Sequence, residues 1–218
     1  MTGAGRAAFI RANTRVLPVP HAPEIRLHLA DEATELWHKT EEELGRLGLP
    51  PPFWAFAWAG GQALARYILD HPETVGGKRV VDFASGSGIV AIAAAKAGAA
   101  RVLAADIDGF CGAALTLNAE ANGVTVEFTD ANLLDAPPPA WAEVVLAGDF
   151  CYEKPLAERA TAWLGEARAA GARVLIGDPG RSYFPRTGLE KLAEQAEKTC
   201  PVSRVLNAEV TLDALLEG

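Results

Sequence analysis

From residue 78 onward, short continuous apolar runs alternate with longer segments of helical periodicity. The runs predict β-strands at 79–83, 101–105, 124–129, 143–147 and 173–177. The intervening segments predict helices at 89–97, 109–122, 155–170 and 187–198, three of them followed by a glycine suited to a left-handed C-cap: Gly98, Gly123 and Gly171. Apolar strands that alternate with helices indicate a parallel sheet covered on both faces.

The fold class predicted from this alternation is α/β. We expect a doubly wound, Rossmann-like sheet of seven mostly parallel strands in a three-layer αβα sandwich, with residues 201–218 adding two short strands. Residues 1–77 are expected to form an N-terminal arm and cap helices packed on a core of residues 78–218, within one structural domain. Helical spacing places the cap helices at 31–47 and 62–69, whereas prolines near the start predict an extended surface arm over 1–23.

A turn of very small residues joins the first strand of this core to an Ala-rich helix. Asp82 lies near the end of the strand, and Ala84-Ser85-Gly86-Ser87-Gly88 follows. Strand, tight loop and helix N-terminus form the layout that binds nucleotide-like cofactors. One candidate cofactor is NAD, because Gly86-Ser87-Gly88-Ile89-Val90-Ala91 matches the dinucleotide fingerprint. Asp106 ends the next strand, where a ribose-binding acid is expected.

The other candidate cofactor is S-adenosylmethionine (SAM), which has no pyrophosphate and carries a cationic amino acid end. Asp82 is suited to orient the loop amides and face that cation, Asp106 to bind the ribose hydroxyls, and Asn132 to hold the adenine edge. The spacing resembles the acid-x-G-x-G-x-G motif of class I methyltransferases, with Ala84 in place of its first glycine, where a positive φ angle would be strained. Each polar residue alone is equally typical of a turn. Their joint placement at successive strand ends favours a ligand site.

The segment after the fourth strand of the core resembles a known family. Asp149-x-x-Tyr152 is similar to the D/E-x-x-Y/F motif of the seven-β-strand protein methyltransferases of family 16. Further blocks resemble the bacterial lysine methyltransferases of the electron transfer flavoprotein β-subunit: the Trp-rich segment 53–67, Asp106-Ile107-Asp108 and the segment 174–181, which ends in Gly-Asp-Pro-Gly-Arg. The likeness spans residues 6–205.

This resemblance implies a SAM-dependent protein-lysine N-methyltransferase whose protein substrate is the electron transfer flavoprotein β-subunit. It implies that Asp149 and Tyr152 are catalytic and line the opening for the target amine. The cofactor-binding residues it implies are Trp58, Asp82, Ala84, Ser85, Gly86, Gly88, Asp106, Ile107, Asn132 and Gly148. Because a sulfonium methyl group is already activated, orientation of the amine is the main requirement, with Asp149 positioning it and the proton passing to water.

Structural interpretations compete with these roles. Trp54 and Trp58 are typical of core anchors, Asp149 of a helix N-cap, and Asp178 with Arg181 of a turn ion pair or a pair at the substrate mouth. Other functions that use SAM are methylation of a ribosomal protein or of a small molecule. A nicotinamide-dependent oxidoreductase and a binding module without methyl transfer belong to different classes. No Tyr-x-x-x-Lys or other hydride-transfer constellation adjoins the loop.

The composition of the chain limits the classes of molecule that it is expected to bind. The 218 residues are 50% hydrophobic and carry a net charge of −8, which favours a basic, lysine-bearing protein partner over a nucleic acid. The three cysteines lack CxxC spacing and the four histidines lack ligand spacing, so we expect reduced thiols in the cytoplasm and no metal site. No apolar run approaches the roughly 18 residues of a membrane span. We expect a cytoplasmic monomer that does not bind membranes.

Overall fold

A computed structural model of the chain describes residues 1–30, 51–196 and 209–215. The helices are α1 (Gly3–Asn13), α2 (Ala59–Asp70), α3 (Ile89–Lys96), α4 (Gly109–Asn122) and α5 (Lys154–Ala169). The strands are β1 (Arg15–Val19), β2 (Ala22–Leu29), β3 (Arg79–Phe83), β4 (Arg101–Ala105), β5 (Glu127–Thr129), β6 (Val144–Gly148), β7 (Arg173–Asp178), β8 (Leu189–Ala196) and β9 (Glu209–Leu215). Short 3₁₀ turns lie at Phe53–Ala55, Pro72–Thr74 and Leu133–Asp135. The helix predicted at 31–47 lies outside the described residues.

The central sheet has the strand order β5-β4-β3-β6-β7-β9-β8. Strands β3 to β7 are parallel, and β9 pairs antiparallel with both β7 and β8. The chain moves outward from β3 to β5 and then returns to β6, on the other side of β3. Ligands of open α/β sheets bind at such a switch point, outside the carboxyl ends of the strands. The predicted doubly wound, mostly parallel sheet is confirmed.

Alternate residues of the parallel strands face opposite helical layers. Val80 and Val144 pack with α2 and α3, whereas their neighbours Val81 and Val145 pack with α5. Burial on both faces explains why these strands are apolar along their whole length. In the described ranges, no helix combines the length and apolar character that crossing a bilayer requires.

Two strands and a helix match their predicted bounds to the residue: 79–83, 101–105 and 109–122. The glycines predicted as left-handed C-caps have positive φ angles: 85° at Gly98, 64° at Gly123 and 97° at Gly171. Strand β5 is shorter than the predicted 124–129, since it begins at Glu127. The amide of Val124 donates instead to the Ala119 carbonyl at the end of α4, so the helix cap occupies the start of the predicted strand.

The prediction of an extended arm over residues 1–23 is wrong. Thr2 caps α1 through its side chain, and β1 and β2 form an antiparallel hairpin. Leu27 of β2 is fully buried against the helices of the core, and Ile10 of α1 packs in a cluster with residues of α4. Proline misled the prediction because Pro18 is tolerated in a two-stranded ribbon, next to an irregularity in its pairing.

The helix predicted over 187–198 is wrong within the described residues. Strand β8 forms there and pairs antiparallel with β9. The segment is rich in Leu, Glu, Lys, Ala and Gln, which all favour helices, so intrinsic propensity pointed the wrong way. A strand partner contributed from later in the chain overrides that preference. Of the two strands predicted within 201–218, β9 lies in the described part of the chain.

Candidate active site

Each of the five parallel strands carries an aspartate at or just beyond its carboxyl end: Asp82, Asp106, Asp130, Asp149 and Asp178. Because parallel strands all end at the same edge of the sheet, these side chains are brought to one side of the molecule. Asp82, Asp149 and Asp178 are buried. Buried carboxylates need partners, and the partners of these three define the site.

The small-residue loop after β3 is held open by its neighbour strand. Ala84, Gly86 and Gly88 have φ angles of 54°, 51° and 79°. The Asp106 carboxylate accepts a hydrogen bond from the Gly86 amide at 2.9 Å, and the Ser85 amide donates to the Ala105 carbonyl at 3.1 Å. Asp106, predicted to bind ribose, therefore also fixes the loop itself.

The loop presents an unused polar group. Ser85 Oγ is buried and has no hydrogen-bond partner among the residues that the structure describes. Among the described residues, a Cβ on Gly86 would meet the Phe53 carbonyl oxygen alone, at 3.7 Å. Next to the loop, the Ile107 side chain is 73% exposed. An orphaned hydroxyl beside an uncovered apolar side chain fits a small ligand with both polar and apolar parts, such as a nucleoside.

Ala84 adopts the strained backbone for which the sequence motif uses glycine. A left-handed conformation costs a residue with a Cβ about 1–2 kcal/mol. Glycine avoids this strain, but its greater conformational freedom in the unfolded chain offsets part of the gain. We therefore expect Ala84→Gly to stabilise the protein by about 0.5–1 kcal/mol in urea unfolding. As a control, Ala162→Gly, on an exposed position within α5, should destabilise by a similar amount. Destabilisation by both changes would contradict the strain at Ala84.

Asp82 is directed at the first turn of α3. One carboxylate oxygen accepts a hydrogen bond from the Ala91 amide at 2.9 Å. Burial raises the pKa of Asp82 to about 8. The hydrogen bond from Ala91 lowers this pKa in part, and the negative charge of Asp106 raises it further. Asp82 thus accepts one backbone amide, as a helix-capping acid would, and a nearby cation would restore its charge.

Two predicted cofactor residues have structural roles in the described fold. Asn132 accepts a hydrogen bond from the Leu134 amide at 3.2 Å and starts a 3₁₀ turn. A Cβ on Gly148 would lie 3.2 Å from both the amide nitrogen and Cα of Gly61, so the absence of a side chain there lets α2 approach β6. Both residues lie at the carboxyl edge, and their predicted contacts with a cofactor stay predictions.

Asp149 is held between the N-terminus of α2 and a guanidinium. Its Oδ2 accepts a hydrogen bond from the Gly61 amide at 2.9 Å, and its Oδ1 accepts one from Arg181 Nη2 at 3.0 Å. Burial raises the pKa of Asp149, although Arg181 and the amides of Gly61 and Gly60 oppose the increase. The N-cap of α5 is Glu153, so the interpretation of Asp149 as the cap of that helix is wrong.

Arg181 also contacts the acid at the end of the adjacent strand. Asp178 Oδ1 accepts a hydrogen bond from the backbone amide of Arg181 at 2.7 Å, and Asp178 Oδ2 lies 4.0 Å from Arg181 Nε. Asp178 is fully buried, which raises its pKa to about 6, and the charge of Asp149 adds to the increase. The turn ion pair considered from the sequence exists, and it extends to Asp149 as a second acid.

A row of three aromatic rings begins beside Arg181. The Tyr152 ring lies 5.2 Å from that of Phe53, which lies 5.9 Å from that of Trp58. Trp58 Nε1 donates to the Phe53 carbonyl at 2.9 Å, and the Arg181 guanidinium lies 5.9 Å from the Trp58 ring. Trp54, in contrast, is buried and stacks on Phe110 in the core. Tyr152 is 40% exposed, and burial of the rest raises its pKa to about 12.

Sequence reasoning gave no site role to Phe53 or to the glycine pair Gly60-Gly61. Phe53 joins Tyr152 to Trp58, and the glycine pair supplies the amides that hold Asp149. All three lie in the Trp-rich block that carried the family resemblance. The block marked the region, but no spacing within it points to strand ends far along the chain.

Comparisons with known proteins agree on the class of enzyme. The family model "Ribosomal protein L11 methyltransferase (PrmA)" matches residues 63–148. The "Electron transfer flavoprotein beta subunit lysine methyltransferase" of Xenopus laevis is 42% identical over 81% of this chain and 71% of its own length. The Rattus norvegicus protein of the same name is 40% identical over 89% of this chain and 76% of its own length.

A solved structure shares the fold. The magnesium protoporphyrin IX methyltransferase of Synechocystis, determined with bound SAM, superposes with a TM-score of 0.52. It covers 85% of this chain and 97% of its own, at 16% sequence identity. Likeness at this identity supports the architecture of the sheet and helices.

Proposed function

Since this chain belongs to the family of electron transfer flavoprotein beta subunit lysine methyltransferases, we propose that it methylates lysine side chains of the electron transfer flavoprotein beta subunit, with SAM as the methyl donor. The observation that carries the proposal is the buried Asp149 carboxylate at the switch point, whose partner Arg181 lies 5.9 Å from the Trp58 ring. The rings of Phe53 and Tyr152 continue from Trp58. Carboxylates attract ammonium groups, and aromatic faces attract cations. Such an opening suits a lysine side chain.

We assign the methyl donor to the loop after β3 and the strand ends beside it. The residues that would hold it are Trp58, Asp82, Ala84, Ser85, Gly86, Gly88, Asp106, Ile107, Asn132 and Gly148. One support is the Ser85 hydroxyl, which has no hydrogen-bond partner in the part of the chain that the structure describes. Another is Asp82, whose raised pKa fits a carboxyl that becomes charged when an amino acid cation binds beside it. When bound, SAM supplies an electrophilic sulfonium methyl group for attack by an amine.

The residues around the opening prepare that amine. A free lysine has a pKa of about 10.4, so it must lose a proton before it acts as a nucleophile. We assign Asp149 the role of attracting and orienting the amine, while the proton passes to water. Tyr152 keeps its proton because its pKa is raised to about 12, so its hydroxyl remains able to donate a hydrogen bond. Catalysis then rests on orientation.

Mass spectrometry of the purified electron transfer flavoprotein beta subunit, incubated with the enzyme and SAM, tests the proposal. We expect the beta subunit to gain mass in steps of one methyl group, on lysine residues, and to gain none when SAM is omitted. An unmodified beta subunit, under conditions where the enzyme binds SAM in a thermal-shift assay, would exclude this substrate.

Ribosomal protein lysines are a second candidate substrate, because the family model that matches residues 63–148 describes a ribosomal protein methyltransferase. Ribosomal protein L11 in the same assay distinguishes the two candidates. We further infer a cytoplasmic, monomeric enzyme. Cys111 and Cys151, the described cysteines, are free and buried, which supports a reducing compartment.

A further inference from the structure

One guanidinium is shared between two buried acids at the opening. Arg181 donates to Asp149 from Nη2 at 3.0 Å, and its Nε lies 4.0 Å from Asp178 Oδ2. With all three side chains ionised, the cluster carries one net negative charge. Arg181 Nε is buried, without a hydrogen-bond partner among the described residues, so the guanidinium is not saturated by this pairing.

Among the described residues, the titratable groups nearest the cluster are Cys151 and Tyr152, and both stay neutral near pH 7. Cys151 follows Asp149 by two residues, and its pKa is raised to about 12 by burial and by the charge of Asp178. Tyr152, with its raised pKa, feels the charges of Glu153 and Asp106 as well as that of Arg181. From α2, backbone amides face Asp149, and on β9, Thr211 is the backbone partner of Asp178, two residues from Asp213. Within the described ranges, the charge at the opening is therefore set chiefly by the two acids and Arg181.

We propose that Arg181 is a positioning residue for the methyl-transfer reaction. It orients the Asp149 carboxylate and, together with Asp178, holds the opening at one net negative charge. The bound lysine amine therefore loses its proton more readily than it would beside two unpaired carboxylates. This inference rests on the proposed function and deepens it. The inference also involves Asp178, whose carboxylate contacts both the backbone amide and the side chain of Arg181.

The physical reason is electrostatic. An ammonium group beside excess negative charge holds its proton more tightly, whereas a neighbouring cation favours the neutral amine. Removal of Arg181 leaves two carboxylates in a partly dry site, and the cluster with its bound lysine then retains a proton to higher pH. Removal of the Asp178 charge makes the site less negative, so the bound lysine loses its proton at lower pH. A purely structural ion pair would predict loss of stability or of kcat, but no displacement of the pH profile.

The pH dependence of kcat for Arg181→Met, Arg181→Lys and Asp178→Asn, on the beta subunit as substrate, tests this inference. We expect the rising limb of the profile to move by about one pH unit to higher pH in Arg181→Met. It should move by about one unit to lower pH in Asp178→Asn, and stay near the wild-type position in Arg181→Lys. Asn at position 178 still has an oxygen to accept the Arg181 amide, so this variant keeps the test available if Arg181→Met does not fold.

A second readout needs no turnover. Calorimetry in two buffers of different ionisation enthalpy measures the protons released when the beta subunit binds in the presence of S-adenosylhomocysteine. At one fixed pH, Arg181→Met should release fewer protons than wild type, and Asp178→Asn more. The role of Arg181 would be overturned if the pH profiles of Arg181→Met and Asp178→Asn coincided with that of wild type, or if both shifted in the same direction. The proposed function would still stand in that case, provided that the wild-type enzyme methylates the beta subunit. A wild-type enzyme that leaves the beta subunit unmethylated refutes the proposed function itself.

Discussion

Asp149→Asn should lower kcat for lysine methylation on the order of 10²-fold while SAM binding is retained. Asparagine adopts the φ angle of 57° at this position with less strain than alanine would. Its side-chain oxygen can still accept the Gly61 hydrogen bond, so α2 should stay in place. What the variant lacks is the negative charge that draws and orients the lysine amine. Steady-state kinetics on the beta subunit, together with thermal shifts with SAM, measure the two properties separately.

The folded state should tolerate this change. Burial raises the pKa of Asp149 despite Arg181 and the two amides, which means that the ionised carboxylate is disfavoured in the folded protein relative to water. A neutral amide avoids that cost. Its NH2 group cannot accept the hydrogen bond from Arg181 Nη2, but Arg181 keeps Asp178 as an acidic neighbour. Asp70→Asn, which removes one acid of a surface pair with Arg66, is the matched control and should leave kcat unchanged. Wild-type kcat in Asp149→Asn would remove Asp149 from the site.

The local pattern of hydrophobic residues was sufficient to predict the parallel core of the fold. Strands buried on both faces produce uninterrupted apolar runs, and helices between them end in glycines with positive φ angles, so β3, β4 and α4 could be located to the residue. The edge of the sheet behaves differently. Strand β8 consists largely of helix-favouring residues, and its strand conformation depends on pairing with β9, which local periodicity does not report.

The site could be predicted as a position but not as a set of contacts. Acids at the ends of successive strands had to converge because the strands are parallel, and Asp82 and Asp106 were found in this way, whereas Asp149 was found through the resemblance of its D-x-x-Y segment to a family motif. Its partners come from Gly61, 88 residues earlier, and from Arg181, 32 residues later. No spacing rule connects such distant segments. Packing of α2 against the strand ends brings the helix N-terminus to Asp149, and the turn after β7 brings the Arg181 guanidinium.

That packing depends on glycines, and Gly60→Ala should be among the most destabilising substitutions in the chain. A Cβ on Gly60 would overlap the Gly177 carbonyl oxygen at the end of β7 and would lie 2.8 Å from Asp149 Oδ2. Backbone cannot yield as a flexible side chain does, so α2 would have to move away from the sheet. We expect a loss of about 3 kcal/mol in the free energy of unfolding.

Gly165→Ala is the informative control for this prediction, because it makes the same chemical change within a helix. A Cβ on Gly165 of α5 meets no described residue within 4 Å, so alanine there should stabilise the protein by about 0.5–1 kcal/mol through its helix propensity. Opposite signs for the two variants in urea unfolding would attribute the cost at Gly60 to the contact with β7. A small effect at Gly60 would mean that α2 can shift freely against the strand ends. Asp149 would then owe its position to Arg181 rather than to the helix.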